Sequence, residues 1–97
     1  MAIKEKYKHE LIRIILQHIP GATIYLFGSR ARGDFTSTSD IDLAVDRGEA
    51  IPYSVLMKIL MKFDETTIPF KIDLVDLSTA SAALKEKVLK EGIKWND

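Results

Sequence analysis

The amino-acid sequence predicts an α/β fold, in which helices pack against a small mixed β-sheet in the order αβ(α)βαβα. Apolar residues recur at helical spacing in three long segments, and apolar runs of strand length separate these segments. A chain of 97 residues with this alternation is typical of a single domain, so residues 1–97 are expected to form one unit.

The first half of the chain is predicted to contain a long helix and two strands. The helix is expected over residues 3–19, and Pro20 with Gly21 ends it. Its apolar stripe comprises Ile3, Tyr7, Leu11, Ile14, Ile15 and His18. Strands are expected at 22–27 and 41–46, and the short connection between them favours antiparallel pairing.

The connection between these two strands is predicted to be a helical turn followed by a polar loop. Ser29 to Arg32 form the turn, and Gly33 can end it in the left-handed conformation. Residues 34–39 are rich in Ser, Thr and Asp, with Phe35 as the single apolar residue. The connection therefore brings small and charged side chains to one end of the first strand.

The second half is predicted to contain a helix, a strand and a last helix. Pro52 suits the first position of a helix that runs to about Thr66. Its apolar stripe comprises Val55, Leu56, Ile59, Leu60 and Phe63. The third strand is expected over residues 68–75, and Gly92 is expected to stop a last helix marked by Leu84, Val88 and Leu89. Two alternatives remain for Ile93 and Trp95, a brief closing strand or simple packing against the domain.

Composition narrows the functional classes. Lys and Arg total 14 and Asp and Glu total 14, and this zero net charge argues against a dedicated nucleic-acid binder and leaves self-association open. The sequence has no cysteine, so disulfides and thiolate metal sites are excluded. No apolar run approaches the length of a membrane span, and the first ten residues lack the apolar segment of a signal peptide. We therefore expect a cytoplasmic protein with no membrane segment.

Two aspartates occur at the start of the second strand. Asp40 and Asp42 are two residues apart, so in a strand they share one face at about 6.5–7 Å, while Ile41 and Leu43 point to the core. Asp40 could simply close the preceding turn, but this does not explain Asp42 within an apolar strand, where aspartate is disfavoured. Two carboxylates on one face repel each other unless a hard cation such as Mg²⁺ neutralises them.

A third aspartate interrupts the third strand. If this strand lies beside the second, Asp73 comes onto the same face as Asp40 and Asp42. Asp76 is the alternative third carboxylate, but it has the opposite parity and suits a strand exit. Asp46 shares the face of the first pair but lies at the far end of its strand, where a turn is expected.

Phosphate-binding groups are predicted just after the first strand. Gly28 allows close approach of the backbone to a ligand, and Ser29 can cap the following turn or donate its hydroxyl to a phosphate. Arg30 and Arg32 point in different directions on that turn, so one could reach a triphosphate while the other pairs with an acid. Carboxylates next to a phosphate site indicate phosphoryl or nucleotidyl transfer.

These motifs together resemble a known superfamily. Gly28-Ser29 followed by Asp40-Ile41-Asp42 resembles the signature of the DNA polymerase β-like nucleotidyltransferases. The longer strings FGSRARG and SDIDL are similar to the smallest members, the minimal nucleotidyltransferases (MNT) of bacteria and archaea, and the resemblance covers nearly the whole chain. It implies the polymerase β-like fold and a third acidic residue at the position of Asp73.

The resemblance also implies a reaction. Asp40, Asp42 and Asp73 are the implied catalytic and metal-binding residues for two Mg²⁺ ions. The implied nucleotide-binding residues are Gly28, Ser29, Arg30 and Arg32. An acceptor hydroxyl then attacks the α-phosphorus of a nucleoside triphosphate, with ATP as the expected substrate, and pyrophosphate leaves.

The resemblance further implies a protein partner. MNT proteins accompany small helical HEPN proteins as toxin–antitoxin pairs, so AMP transfer to a HEPN toxin is expected. The alternative is an antitoxin that acts only by binding its partner. Candidate contacts outside the core are Phe35, Met57 and Met61, although the spacing of the two methionines favours core or semi-exposed filler.

Overall fold

A mixed four-stranded sheet lies at the centre of the structure, a computed structural model that describes residues 3–96. The helices are α1 (Glu5–His18), α2 (Ser29–Arg32), α3 (Tyr53–Asp64) and α4 (Ala82–Glu91). The strands are β1 (Thr23–Phe27), β2 (Ile41–Asp46), β3 (Ile72–Asp76) and β4 (Ile93–Lys94), and a 3-10 turn spans Leu77–Thr79. The predicted α/β fold and element order are confirmed, with a short fourth strand added.

The strands lie in the order β3-β2-β1-β4. β1 pairs antiparallel with β2 as predicted, and Phe27 lies opposite Asp42. β2 and β3 are parallel, with Asp42 in register with Asp73, because α3 carries the chain back across one face of the sheet. This connection therefore places the strands that carry Asp42 and Asp73 next to each other.

The sheet separates two apolar layers. One face packs against α1 and α3, and its strand residues include Ile41, Leu43 and Val45, all fully buried. The opposite face packs against α4 and the 3-10 turn through a smaller cluster that contains Phe27, Ala44, Leu77 and Val88. Because side chains alternate along β2, the odd-numbered residues of this strand fill the larger layer and Asp42 falls on the α4 side.

The end of the chain closes the sheet. β4 pairs antiparallel with β1, and the Trp95 amide donates to the Ile24 carbonyl at 2.8 Å. The Asn96 side chain continues this pairing, since its Oδ1 accepts from the Ile24 amide at 2.8 Å. The closing strand, one of the two alternatives for this segment, is thus the one observed.

Several predicted boundaries were wrong by a few residues. The third strand begins at Ile72 rather than 68, because its register with β2 begins at the pair Ile41–Ile72. Helix α3 ends at Asp64, and Pro52 precedes it as the cap instead of occupying its first turn. α1 is likewise shorter than the 3–19 predicted for it.

Gly92 ends α4 for a reason other than the one predicted. Its φ of −73° is not left-handed. Instead, a Cβ at this position would collide with the Val88 carbonyl oxygen, so glycine is required by close approach of the backbone.

None of the helices within residues 3–96 combines the length and the apolar character needed to cross a bilayer.

Candidate nucleotide and metal site

Two carboxylates lie side by side on the α4 face of the sheet. Asp42 of β2 and Asp73 of β3 are register partners on neighbouring parallel strands, and both line a cavity of about 660 Å³. Phe27 of β1 and Leu84 of α4 line the same cavity. The edge position of β3 leaves this cavity open at the side of the sheet.

The surroundings of Asp42 disfavour its negative charge. Burial is the largest cause that raises the pKa of the Asp42 carboxyl, followed by the negative charges of Asp73 and Asp40. The positive charges of Lys87 and Arg32 act in the opposite direction on this pKa. Asp42 is therefore a half-buried acid that Asp73 and Asp40 repel. A bound cation would relieve this repulsion.

The donor set fits a hard divalent cation in its chemistry. Carboxylate oxygens are the ligands that Mg²⁺ prefers, and three of them contribute charge at one place. In the part of the chain from residue 3 to 96, however, no three acidic or histidine side chains already converge as a finished metal cluster. The assignment of Asp40, Asp42 and Asp73 as ligands therefore stays a prediction.

At Gly28, the backbone of the predicted phosphate site lies against the side chain of Asp42. Its φ is 76°, and a Cβ at this position would overlap the Oδ2 atom of Asp42. The Gly28 carbonyl accepts from the Ala31 and Arg32 amides at 3.1 Å each, which forms the predicted turn. Gly33 ends the turn in the left-handed conformation, as predicted.

Arg30 is placed differently from the nucleotide contact expected for it. Its guanidinium is buried and donates from Nε and Nη2 to the Ser39 carbonyl at 3.0 and 2.8 Å. It also lies over the rings of Phe70 and Phe35, at 4.3 and 5.2 Å from their centroids. These contacts assign Arg30 to fixing the loop that leads into Asp40.

Arg32 has the acid pairing that was expected for one of the two arginines. Its Nε donates to Asp34 Oδ2 at 3.3 Å and its Nη1 to Glu91 Oε1 at 3.2 Å. Hydrogen bonds to Asp34 and then to Glu91 raise the pKa of this guanidinium. The Arg32 side chain is itself 37% exposed, so the arginine keeps access to a ligand.

Two residues of α4 that lie beside the site were not predicted from the sequence. Glu91 joins Arg32 to the helix, and Lys87 lies 4.0 Å from the same Glu91 oxygen. Their spacing of four residues is the only signal the sequence offers, and such pairs are common on exposed helices.

The other two acidic candidates have structural roles. Asp76 is buried, and its Oδ2 and Oδ1 accept from the Ile51 and Ser78 amides at 2.8 and 3.0 Å. Asp46 accepts from the Gly48 amide at 2.8 Å in the expected turn. Asp73, in contrast, makes a loose contact of 3.9 Å with exposed Lys71 and lines the cavity, so it remains available to a ligand.

Comparison with known proteins identifies the family of the chain. The model of the family described as "Polymerase beta, Nucleotidyltransferase" matches residues 9–94. The probable protein adenylyltransferase MntA of Haemophilus influenzae is 32% identical over 81 residues, which cover 82% of this chain and 71% of that protein. The protein adenylyltransferase MntA of Shewanella oneidensis is 31% identical over 86 residues, covering 88% of this chain and 61% of that protein.

Solved structures give the same result for the fold. A toxin–antitoxin crystal structure with AMP-PNP superimposes with a TM-score of 0.80 at 30% identity, covering 92% of this chain and 72% of that one. A tri-AMPylated HEPN toxin of Shewanella oneidensis in complex with its MNT antitoxin gives 0.77 at 26% identity, covering 97% and 72%. The chain thus spans most, but not all, of the length of these relatives.

Proposed function

Because this chain belongs to the polymerase beta nucleotidyltransferase family, we propose that it transfers AMP from ATP to a hydroxyl group of a helical HEPN-type protein. Both curated relatives are named as protein adenylyltransferases, and one structural relative is an MNT antitoxin bound to an AMPylated HEPN toxin. In this proposal the chain is the antitoxin of such a pair.

The observation that carries the proposal is the register of Asp42 and Asp73, with Gly28 packed on Asp42. A protein that only binds a partner gains nothing from aligning two acids on neighbouring strands, because their repulsion is unfavourable. A nucleotidyltransferase needs this alignment beside a backbone that approaches phosphate closely. The geometry therefore favours catalysis over binding alone.

In this proposal each residue of the site has its own role. Gly28 and Ser29 bind the phosphates through backbone approach and the serine hydroxyl, and Arg32 contributes positive charge. Asp40, Asp42 and Asp73 would hold two Mg²⁺ ions, which when bound supply neutralisation of the triphosphate and activation of the acceptor hydroxyl.

The transfer itself needs no protein nucleophile. The acceptor hydroxyl releases its proton to solvent and its oxygen forms a bond to the α-phosphorus of ATP, while the bond from that phosphorus to the bridging oxygen breaks and pyrophosphate leaves. Asp73 lies on the edge strand, where an acceptor carried by another molecule can approach. The role of the chain is to align these groups and to exclude competing orientations.

The test is transfer of labelled AMP to a copurified HEPN partner. We expect Mg²⁺-dependent label on the partner with the parent protein, and loss of at least about 100-fold with Asp42→Asn, since charge stabilisation at the reacting centre is removed. Asp46→Asn is the matched control, because Asp46 shares the strand but serves a turn. Neutralisation of the partner by Asp42→Asn without any label would instead support the binding-only antitoxin.

A further inference from the structure

Three charged side chains form a bridge between α2 and α4 beside the carboxylates. Glu91 Oε1 lies 3.2 Å from Arg32 Nη1 and 4.0 Å from Lys87 Nζ, so one acid is shared by two cations. Glu91 is the most buried of the three, with 28% of its side chain exposed against 37% for Arg32 and 50% for Lys87. Both cations are therefore more accessible to solvent than their common partner.

This bridge lies beside the face of α4 that packs on the sheet through Val88. Leu84, which lines the cavity of Asp42 and Asp73, precedes Lys87 by three residues and Glu91 by seven. At about 100° per residue, these three side chains lie within about 60° of one another around the helix axis. Lys87 is thus directed toward the site, and its charge acts on Asp42 together with that of Arg32.

We propose that Lys87 is a phosphate-binding residue for the nucleotide, and that Glu91 pairs with Lys87 and Arg32 until the phosphates of the ligand replace it. This inference rests on the proposed function, because it takes the triphosphate as the ligand of the site. It adds a basic side chain from the last helix to the groups that α2 supplies. The ligand class it requires is an inorganic or nucleoside polyphosphate.

The physical reason is the difference between the two anions. Exposed ion pairs such as Lys87–Glu91 contribute little, so exchanging Glu91 for another anion costs little free energy. A polyphosphate carries several charges and presents oxygens to both cations at once, which makes stronger charge-assisted hydrogen bonds. Glu91 meanwhile prevents two cations from repelling each other in the absence of ligand.

The experiment measures binding of tripolyphosphate, ATP and adenosine to the full chain by calorimetry. Lys87→Gln should weaken tripolyphosphate and ATP binding about tenfold, as expected for loss of a charge-assisted hydrogen bond, and leave adenosine binding unchanged. Lys85→Gln is the matched control, since Lys85 lies about 160° from Lys87 around the same helix and lines a separate cavity with Asp46 and Gly48. Melting temperatures of both variants should equal that of the parent.

Glu91→Gln tests the second half of the inference. It should bind tripolyphosphate as tightly as the parent or a few-fold more tightly, because a competing anion is removed. Equal affinities of Lys87→Gln and Lys85→Gln would overturn the role of Lys87, and weakened binding by Glu91→Gln would overturn the role of Glu91.

The same measurements separate this inference from the proposed function. Transfer of AMP by the parent with normal polyphosphate binding by Lys87→Gln refutes the inference alone. Lys87-dependent binding of tripolyphosphate by a parent that transfers no AMP refutes the proposed function and leaves the inference standing. Failure of the parent to bind any polyphosphate overturns both.

Discussion

Gly28 and Asp42 restrict each other, because the backbone of the glycine lies against the carboxylate of the aspartate. The same contact explains why a residue with positive φ and no side chain is needed at the end of β1. Asp42 in turn is shielded from water by this backbone, and the shielding contributes to the burial that raises its pKa. Each residue is thus understood only together with the other.

Gly28→Ala should destabilise the fold by about 2 kcal/mol or more, from the strain of a positive φ and from displacement of Asp42. Gly21→Ala is the matched control, because Gly21 has φ of 82° but open space around it. It should lose only about 1 kcal/mol, the cost of the left-handed backbone. Urea unfolding of the two variants measures the difference, and equal losses would contradict the close packing at Gly28.

Asp42→Asn should stabilise the protein at pH 7 in solution without divalent cations. The raised pKa means that ionised Asp42 is disfavoured in the folded state, so its contribution is favourable at low pH and is lost as the pH rises through the folded-state pKa. The gain should be below about 1 kcal/mol, because the carboxylate is partly solvated.

The stabilising effect of Asp42→Asn should shrink as the pH falls toward the usual carboxyl pKa of about 4, where the parent also becomes neutral at this position. Melting temperatures of parent and variant at both pH values test this dependence. A variant that is less stable than the parent at pH 7 would show that Asp42 is already compensated in the metal-free fold.

At the level of elements, β3 carries two aspartates with opposite tasks. Asp73 faces the cavity on the α4 side, whereas Asp76 points to the other face and binds the amides before α3 and in the 3-10 turn. The strand thereby anchors two connections with one acid and presents the other to the site. Alternation along a strand is sufficient to separate these roles.

Asp76→Ala should lower the free energy of unfolding by about 2–4 kcal/mol, since it leaves two amides without their charged acceptor. Asp73→Ala should leave stability within about 0.5 kcal/mol, because its contact with Lys71 is loose and exposed. Mg²⁺-dependent ATP binding by the folded fraction should show the reverse order. Loss of binding in Asp76→Ala alone would exchange the two assignments.

At the level of the whole molecule, an apolar stripe remains uncovered on α3. Tyr53, Met57 and Met61 follow one another at four-residue spacing and are 75%, 37% and 60% exposed. Met57 also lines the cavity that contains Asp42, because this cavity extends around the edge strand β3 from the α4 side to the α3 side. Phe35, the other candidate contact, is half-buried against Arg30 and offers less surface to a partner.

Met61→Lys should weaken binding of the HEPN partner at least about tenfold, as expected when a charge replaces an apolar side chain within an interface. Leu89→Lys is the matched control, since Leu89 is 64% exposed on α4 rather than on α3. Both variants should fold normally and bind ATP, because neither side chain is in the core. Calorimetric titration with the purified partner measures the difference, and equal effects would exclude the α3 stripe as the docking surface.

Local patterns in the sequence were sufficient for the elements and for the side of the sheet on which the acids lie. Alternation with period two places Ile41, Leu43 and Val45 in the core, so Asp42 must face the other way whatever the rest of the fold does. The glycine–serine turn and its left-handed end at Gly33 are equally local. The α/β fold could therefore be predicted from these patterns and the nucleotidyltransferase family from the resemblance of FGSRARG and SDIDL, and both were confirmed.

The tertiary structure alone decided which local features meet. The parallel pairing that sets Asp42 beside Asp73, the burial of Arg30 under Phe70 and the bridge from Arg32 to Glu91 join residues 31, 40 and 59 positions apart in the chain. A sequence pattern reports the face on which a side chain lies within its own helix or strand. The partner on that face depends on how the elements pack, because packing free energy is summed over the whole core and not over one segment.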